Sequence, residues 1–130
     1  MSTILGTMAV SVLIVEDDPD MLDCLEWVFT TGFDLHVASN GVEAIELLGA
    51  EPVDVLVLDL SMAPLDGYDV LRFIEENEIG CRALLASAQP GLQEIARQVR
   101  ADAFLTKPYD LEALKQEVIR LAALGPKGTA

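Results

Sequence analysis

The sequence has few positive charges. Only 8 of its 130 residues are lysine or arginine, against 22 aspartates and glutamates, so the formal net charge is −14. A surface this acidic repels phosphate backbones and anionic lipid headgroups, which argues against nucleic acid or a membrane surface as a direct partner. The chain has three lysines, and the first of them is Lys107. If this lysine is shielded from water, it needs a charged partner.

The sequence also lacks the features of secreted, zinc-binding and membrane proteins. Its two cysteines, Cys24 and Cys81, have no metal-binding spacing, and we expect two reduced, half-buried thiols. Residues 1–9 contain no lysine or arginine and too short an apolar run for a signal peptide. No uncharged apolar stretch is long enough for a membrane span. These absences predict a cytoplasmic protein.

The composition is that of one folded domain. Hydrophobic residues make up 52% of the chain and charged residues 23%, which excludes a disordered chain or a disulfide scaffold. The length allows one domain, which we expect at residues 10–124. Residues 1–9 are then a leader, and residues 125–130 a tail or linker stub.

Five short apolar runs predict buried strands. The first and third are almost uninterrupted, as in strands that helices cover on both faces of a parallel sheet. Segments with apolar residues at helical spacing lie between them. This alternation predicts an α/β fold with one doubly wound, five-stranded parallel sheet between two helical layers. The predicted strands are Val10–Val15, Phe33–Ala38, Val53–Leu58, Cys81–Ala86 and Ala103–Thr106.

Capping residues mark the helix starts. Asp18 precedes Pro19, the pattern of an N-cap followed by a proline in the first turn. Asn40 with Glu43 resembles a capping box, and Asp110 precedes the last helical segment. We therefore predict that Asp18 caps a helix and does not bind a metal.

Chemically reactive side chains follow four of the five predicted strands. Glu16 and Asp17 follow the first, Asp59 the third, Ser87 the fourth and Lys107 the fifth. Since the carboxyl ends of parallel strands meet at one edge of a sheet, these side chains are expected to converge. Clustered carboxylates stay ionised together only beside a cation, and oxygen ligands without histidine or cysteine favour Mg²⁺. Asp59 can then attack phosphorus as a nucleophile.

Five short motifs at these positions resemble the receiver domain of bacterial two-component response regulators. They occur in the family's order, each at a predicted strand end, over about residues 10–124. The resemblance implies a flavodoxin-like sheet with strand order 2-1-3-4-5, in which the first strand lies beside the third. The motifs are V-E-D-D-P at Val15–Pro19, V-L-D-L-S-M at Val57–Met62, D-G at Asp66–Gly67, A-S-A at Ala86–Ala88 and F-L-T-K-P-Y at Phe104–Tyr109.

The resemblance implies a role for each acidic residue. Asp59 would be the phosphoacceptor, and Asp17 a direct ligand of Mg²⁺. Glu16 would act on the metal through water, and the backbone carbonyl of Ser61 would complete the protein ligands.

The resemblance also implies the residues that handle and report the phosphoryl group. Ser87 would supply the hydroxyl that follows this group, and Lys107 the cation on its oxygens. Phe104 matches the family's aromatic switch position, and the bond between Lys107 and Pro108 is usually cis in the family.

The sequence departs from the family pattern before the last strand and in the fourth helix. Arg100 stands where the family often has a glycine, and because arginine disfavours positive φ, we expect this turn to differ. The stretch from Ser87 to Lys107 is about two residues short, which predicts a shortened or loosened fourth helix. The proline of Met62-Ala63-Pro64 is displaced by one position.

These features predict a switch that accepts a phosphoryl group from a histidine kinase or phosphotransfer protein and has no turnover substrate. We expect it to contact its target through residues 92–121. A phosphatase of the haloacid-dehalogenase type needs a second acid two residues after the nucleophile, where this chain has Ser61. Flavin binding is disfavoured because three acids follow the first strand. A scaffold or adaptor that works without phosphorylation is the alternative.

Overall fold

The computed structural model describes residues 9–60 and 67–127, and within them five strands alternate with five helices. The strands are β1 (Val10–Val15), β2 (Phe33–Ala38), β3 (Val55–Leu58), β4 (Arg82–Ser87) and β5 (Ala103–Thr106). The helices are α1 (Pro19–Val28), α2 (Gly41–Ala50), α3 (Gly67–Glu76), α4 (Leu92–Gln98) and α5 (Leu111–Ala123). β3 begins two residues later than predicted, and β4 is displaced by one residue.

All five strands pair in parallel in one sheet, in the order β2-β1-β3-β4-β5. This confirms the predicted doubly wound sheet and its flavodoxin-like order. Val15 at the end of β1 pairs with Leu58 at the end of β3. The Asp59 amide then donates to the Val15 carbonyl at 3.2 Å, so the chain segments that follow these strands leave the sheet side by side.

The sheet is buried on both faces, which explains the nearly continuous apolar runs of its central strands. Leu13 and Val15 of β1 belong to a core cluster under α2, α3 and α4. Val12 and Ile14, which point the opposite way, belong to a second cluster under α1 and α5. The molecule therefore has the predicted three layers, and helices occupy both faces of the sheet.

The predicted caps are confirmed. The carboxylates of Asp18 and Asp110 accept hydrogen bonds from the amides two residues later, at 3.0 and 2.9 Å. The Asn40 side chain accepts from the Glu43 amide at 2.9 Å. The Glu43 carboxylate turns to the amide and hydroxyl of Ser39 and not to Asn40, so the capping box is only half formed. Each such cap contributes about 1 kcal/mol to stability.

Our expectation that Arg100 would change its turn was wrong. Arg100 adopts the left-handed backbone conformation that suits glycine, with φ of 60°. The Arg100 and Ala101 amides donate to the carbonyls of Arg97 and Ala96, which closes the end of α4 in the pattern usual for a C-terminal glycine. The hydrogen bonds therefore impose the conformation although it costs a non-glycine residue about 1–2 kcal/mol.

The fourth helix is short, as predicted, with seven residues. The expectation of two half-buried thiols was wrong for both cysteines. Cys24 is exposed on α1, whereas Cys81 is buried beside β4, where burial raises the pKa of its thiol to about 11. Among the described residues, no helix is both long and apolar enough to cross a membrane.

Candidate functional site

Three carboxylates meet where β1 and β3 end. Glu16 and Asp17 follow β1, and Asp59 follows β3. One carboxylate oxygen of each lies within 4.8 Å of the others. The cause is the sheet order, because β1 and β3 are hydrogen-bonded neighbours. The structure thus brings together the acidic side chains that sequence analysis selected.

Lys107 joins this cluster from the edge strand β5. It follows β5, and its amide donates to the Ser87 carbonyl at 2.9 Å. Its side-chain ammonium donates to Glu16 Oε1 at 2.8 Å and to Asp59 Oδ2 at 3.1 Å. The peptide bond that follows, between Lys107 and Pro108, is cis, as the resemblance implied. Lys107 therefore joins the ends of β1, β3 and β5.

The cluster is shielded from water on one side only: Glu16 is buried, Asp59 is half-buried and Asp17 is exposed. Charge interactions are strongest at the buried end, around Glu16. Glu16 is only 3% exposed. Burial alone would lower the pKa of Lys107, but hydrogen bonds and attraction to Glu16 and Asp59 outweigh it and raise the pKa above the usual value. Lys107 is consequently an ammonium at neutral pH. The ion pairs of Lys107 contribute their full stabilisation to the folded state below the ordinary lysine pKa. This stabilisation is lost as the pH rises through the raised pKa of Lys107.

The charges of the site suit a divalent cation. Three ionised carboxylates beside one ammonium leave about two negative charges uncompensated. The donors are oxygens only, without histidine or cysteine, which is the ligand set of a hard ion such as Mg²⁺. The residues present therefore fit a magnesium ion.

The Asp18 carboxylate is not one of the three that form this cluster. It caps α1 by accepting from the Asp20 amide. The Asp18 amide donates to Glu16 Oε2 at 3.2 Å, which gives the second oxygen of that buried carboxylate a partner. The predicted distinction between a cap at Asp18 and candidate ligands at Glu16 and Asp17 matches this geometry.

Ser87 ends β4 at the same edge of the sheet. It is 2% exposed, and its hydroxyl accepts a hydrogen bond from the Gln89 amide at 3.2 Å. Ser61, the expected source of a metal-binding carbonyl, and the D-G motif's Asp66 lie outside the described residues.

Comparison with known families identifies this arrangement. The profile described as "Response regulator receiver domain" matches residues 12–119. The chain belongs to this family. It is a receiver domain, the signalling module of response regulators, and the resemblance drawn from its motifs is confirmed.

Its relatives are regulators of transcription and other receiver domains. The receiver domain is 32% identical over 118 residues to the transcriptional regulatory protein TrcR of Mycobacterium tuberculosis, an alignment that covers 88% of this chain and 45% of that protein. The chain therefore spans about half the length of this curated relative. The signal receiver domain of a LuxO repressor protein from Vibrio parahaemolyticus superimposes with a TM-score of 0.83 at 26% identity, covering 90% of this chain and 92% of that one.

A more distant neighbour contains a metal. The receiver domain of the sensor histidine kinase PA1611 from Pseudomonas aeruginosa has a TM-score of 0.80 at 22% identity, with 89% of this chain and 99% of that one covered. That structure holds a magnesium ion in its active-site cleft. Because only 22% of the aligned residues are identical, the similarity between this neighbour and our protein shows a shared fold.

Close backbone packing explains why the D-G motif of this receiver domain has a glycine, Gly67. A Cβ atom at this position would lie 2.6 Å from Leu60 Cα and 2.7 Å from the Asp59 carbonyl oxygen. The Gly67 amide also donates to the Leu60 carbonyl at 2.7 Å. The first turn of α3 therefore packs directly on the backbone of the acidic site, which any side chain would prevent. The sequence pattern contains the D-G motif but does not indicate this steric reason for its glycine.

Tyr109 is a site neighbour that sequence analysis quoted only as part of a motif. Burial raises the pKa of its phenol to about 12, against the opposing attraction of the Lys107 ammonium. The hydroxyl points at Met21 Sδ of α1, at 3.9 Å. The neutral ring packs with the core cluster under α1 and α5 and so helps to exclude water beside Lys107. No spacing rule in the sequence indicates this contact.

Phe104, the predicted switch residue, lies on the edge strand β5 at a distance from the carboxylates. It pairs in register with Leu85 of β4 and is 38% exposed. It lines a cavity of about 480 Å³ between α4 and α5, together with Ala96 and Arg120. The structure therefore shows this ring turned outward.

The bridge from Lys107 to Glu16 can be measured by a double-mutant cycle. We expect Glu16→Gln and Lys107→Met to be coupled by about 1–3 kcal/mol in the free energy of unfolding, because Lys107→Met leaves the buried Glu16 carboxylate without a cation and Glu16→Gln removes one of the two carboxylates that hold Lys107. Chemical denaturation of the four proteins measures it. The exposed pair of Glu94 and Arg97, changed to alanine, is the control, with an expected coupling below about 0.5 kcal/mol. Equal coupling energies in the two cycles would contradict the buried bridge.

Proposed function

We propose that this receiver domain is a phosphorylation-controlled switch whose phosphoacceptor is Asp59. The observation that carries the proposal is the position of the Asp59 carboxylate, 3.1 Å from the Lys107 ammonium and within 4.8 Å of the carboxylate oxygens of Glu16 and Asp17. A nucleophile, a fixed cation and a candidate metal site thus lie together. The phosphoryl donor would be a phosphohistidine of a histidine kinase or phosphotransfer protein.

The proposed reaction is a transfer between two proteins. An oxygen of the Asp59 carboxylate forms a bond to phosphorus as the bond from phosphorus to the donor's imidazole nitrogen breaks. The electron pair of that bond stays with the imidazole, which takes a proton from solvent. Charge on the phosphoryl oxygens is balanced by the Lys107 ammonium and by a hydrogen bond from the Ser87 hydroxyl. The product is an acyl phosphate, and the domain has no turnover substrate.

Mg²⁺ is the proposed cofactor. Asp17 and Asp59 would hold it directly and Glu16 through water, and the Ser61 carbonyl remains a proposed ligand outside the described residues. When bound, the ion supplies positive charge for the phosphoryl oxygens. The Lys107 ammonium holds the Glu16 and Asp59 carboxylates in place through its two hydrogen bonds.

Residues 92–121 are the proposed surface for the target protein. On phosphorylation, the Ser87 hydroxyl would move toward the phosphoryl oxygens. It would then lose the hydrogen bond that it accepts from the Gln89 amide. The space left beside β5 would then admit the ring of Phe104, which is now turned outward. A differential stabilisation of a few kcal/mol is enough to change the dominant rotamer.

Phosphorylation of Asp59 is tested by intact mass after incubation with Mg²⁺ and acetyl phosphate. We expect the wild-type protein to gain one phosphoryl group and the Asp59→Asn protein to gain none, because the amide is not a nucleophile. Asp23→Asn, on the exposed face of α1, is the control and should gain one group like the wild type. An unchanged gain in Asp59→Asn rejects the site. A folded wild-type protein that gains nothing supports the scaffold alternative.

The metal ligands are tested with two adjacent aspartates. We expect Asp17→Asn to weaken Mg²⁺ binding by about tenfold or more, because it removes a charged ligand. Asp18→Asn should leave the affinity nearly unchanged, because asparagine caps a helix as well as aspartate does. Calorimetric titration of each protein with MgCl₂ measures the affinities. Equal losses in the two variants would contradict the assignment of ligand and cap.

The switch is tested by backbone NMR with and without beryllofluoride, which stands in for the phosphoryl group on Asp59. We expect shifts at the acidic site and also at Phe104 and along α5, since the proposed movement of Ser87 opens space beside β5. The Asp59→Asn protein in the same buffer is the control and should show neither set. Shifts confined to the acidic site would mean that the target protein binds to a surface other than residues 92–121.

A further inference from the structure

A groove between α3 and α4 lies apart from the acidic site and from the surface around Phe104. The exposed side of α3 and the end of α4 form its walls, and the turn before β4 forms its floor. Pro126 and Lys127, which follow α5, close one end. Its volume of about 1040 Å³ lies at the upper limit of small-molecule pockets, roughly 300–1,000 Å³. The groove is thus large enough for a segment of another protein.

The groove is apolar inside. Leu71, Ile74, Ile79 and Val99 line it and also pack against the core under α2, α3 and α4. Each of the four is only half-buried, so part of its apolar surface faces the groove. Two helices thus flank a strip of apolar surface, which is the shape that accepts the apolar face of a third helix.

Basic residues are concentrated on the rim of this groove, where Arg72 pairs with Asp69 at 3.6 Å and Lys127 with Asp102 at 3.5 Å. Three of the chain's eight basic residues line it, Arg72, Arg100 and Lys127, with the two carboxylates of Glu75 and Glu78. The lining therefore has one net positive charge, whereas the whole chain has a net charge of −14. With Arg72 and Lys127 already paired, Arg100 is the rim cation that can attract a carboxylate of a ligand.

Arg100 is the cation that the fold itself does not use. Lys127 is held by the Arg100 carbonyl and by Asp102, whereas the exposed Arg100 guanidinium has no hydrogen bond or ion pair among residues 9–60 and 67–127. Arg100 also occupies a left-handed turn that glycine would fill without strain. A strained residue whose side chain has no internal partner is a candidate for recognition of a ligand.

We propose that this groove binds an acidic amphipathic helix of a partner protein. Apolar side chains of that helix would cover Leu71, Ile74 and Val99, and one of its carboxylates would pair with Arg100. The proposal concerns a surface apart from Asp59 and does not depend on phosphorylation.

The test uses a fluorescein-labelled synthetic peptide of about 14 residues, with leucine at i, i+3, i+4 and i+7 and glutamate elsewhere. Fluorescence anisotropy measures its affinity for the wild-type protein and for Arg100→Gly. We expect Arg100→Gly to bind about fivefold more weakly, because it loses a charge pair. Arg97→Ala, which removes an exposed arginine of α4 outside the groove, is the matched control and should bind like the wild type.

Misfolding does not account for the expected loss. The left-handed φ of residue 100 suits glycine, so the thermal midpoint of Arg100→Gly should not fall below that of the wild type. Ile74→Ala should weaken peptide binding as well, through the apolar contact. The Asp59→Asn protein should bind like the wild type, which separates failure of this proposal from failure of the phosphoacceptor assignment.

Three outcomes would overturn the proposal. The first is the absence of binding to the glutamate peptide, and the second is equal affinity of the wild-type and Arg100→Gly proteins. The third is a concentration-dependent dimer in sedimentation velocity that Arg100→Gly abolishes, because a second copy would then occupy the groove. A peptide with lysine in place of glutamate can bind this acidic protein elsewhere, but its affinity should not respond to Arg100→Gly.

Discussion

The pairing of the Lys107 ammonium with two carboxylates is the interaction on which the rest of the site depends. Glu16 is almost fully buried, and an ionised carboxylate cannot stay there without a partner. Lys107 supplies that partner at 2.8 Å and holds Asp59 at 3.1 Å at the same time. One cation thus makes the Glu16 carboxylate compatible with its buried position, while the remaining negative charge keeps the site attractive to a metal ion.

The fold confines charged side chains to the ends of the central strands, and the acidic site lies at their carboxyl ends. The central strands are covered on both faces, so their side chains are apolar and only their ends can carry charge. Close packing continues up to the site, where the absent side chain of Gly67 lets α3 rest on the backbone of Asp59 and Leu60. The site is therefore held by backbone contacts as well as by its ion pairs.

Much of this architecture could be predicted from the sequence. Apolar runs and capping residues are local signals, and they predicted the alternation of strands and helices and the caps at Asp18, Asn40 and Asp110. The position of a residue directly after a strand is equally local. That is why Glu16, Asp17, Asp59, Ser87 and Lys107 could be selected before their contacts were known.

The sequence by itself determined the strands, the helices and the residues at the strand ends, because each depends on neighbours along the chain. Tertiary structure alone decided which of those residues touch. β3 and β4 separate β5 from β1, so the contact of Lys107 with Glu16 depends on how the segments beyond the strand ends converge in space. The same holds for the burial of Cys81, the contact of Tyr109 with Met21, and the left-handed turn at Arg100. Each depends on packing between segments distant in sequence or on hydrogen bonds at a helix end, which residue types and spacing do not specify.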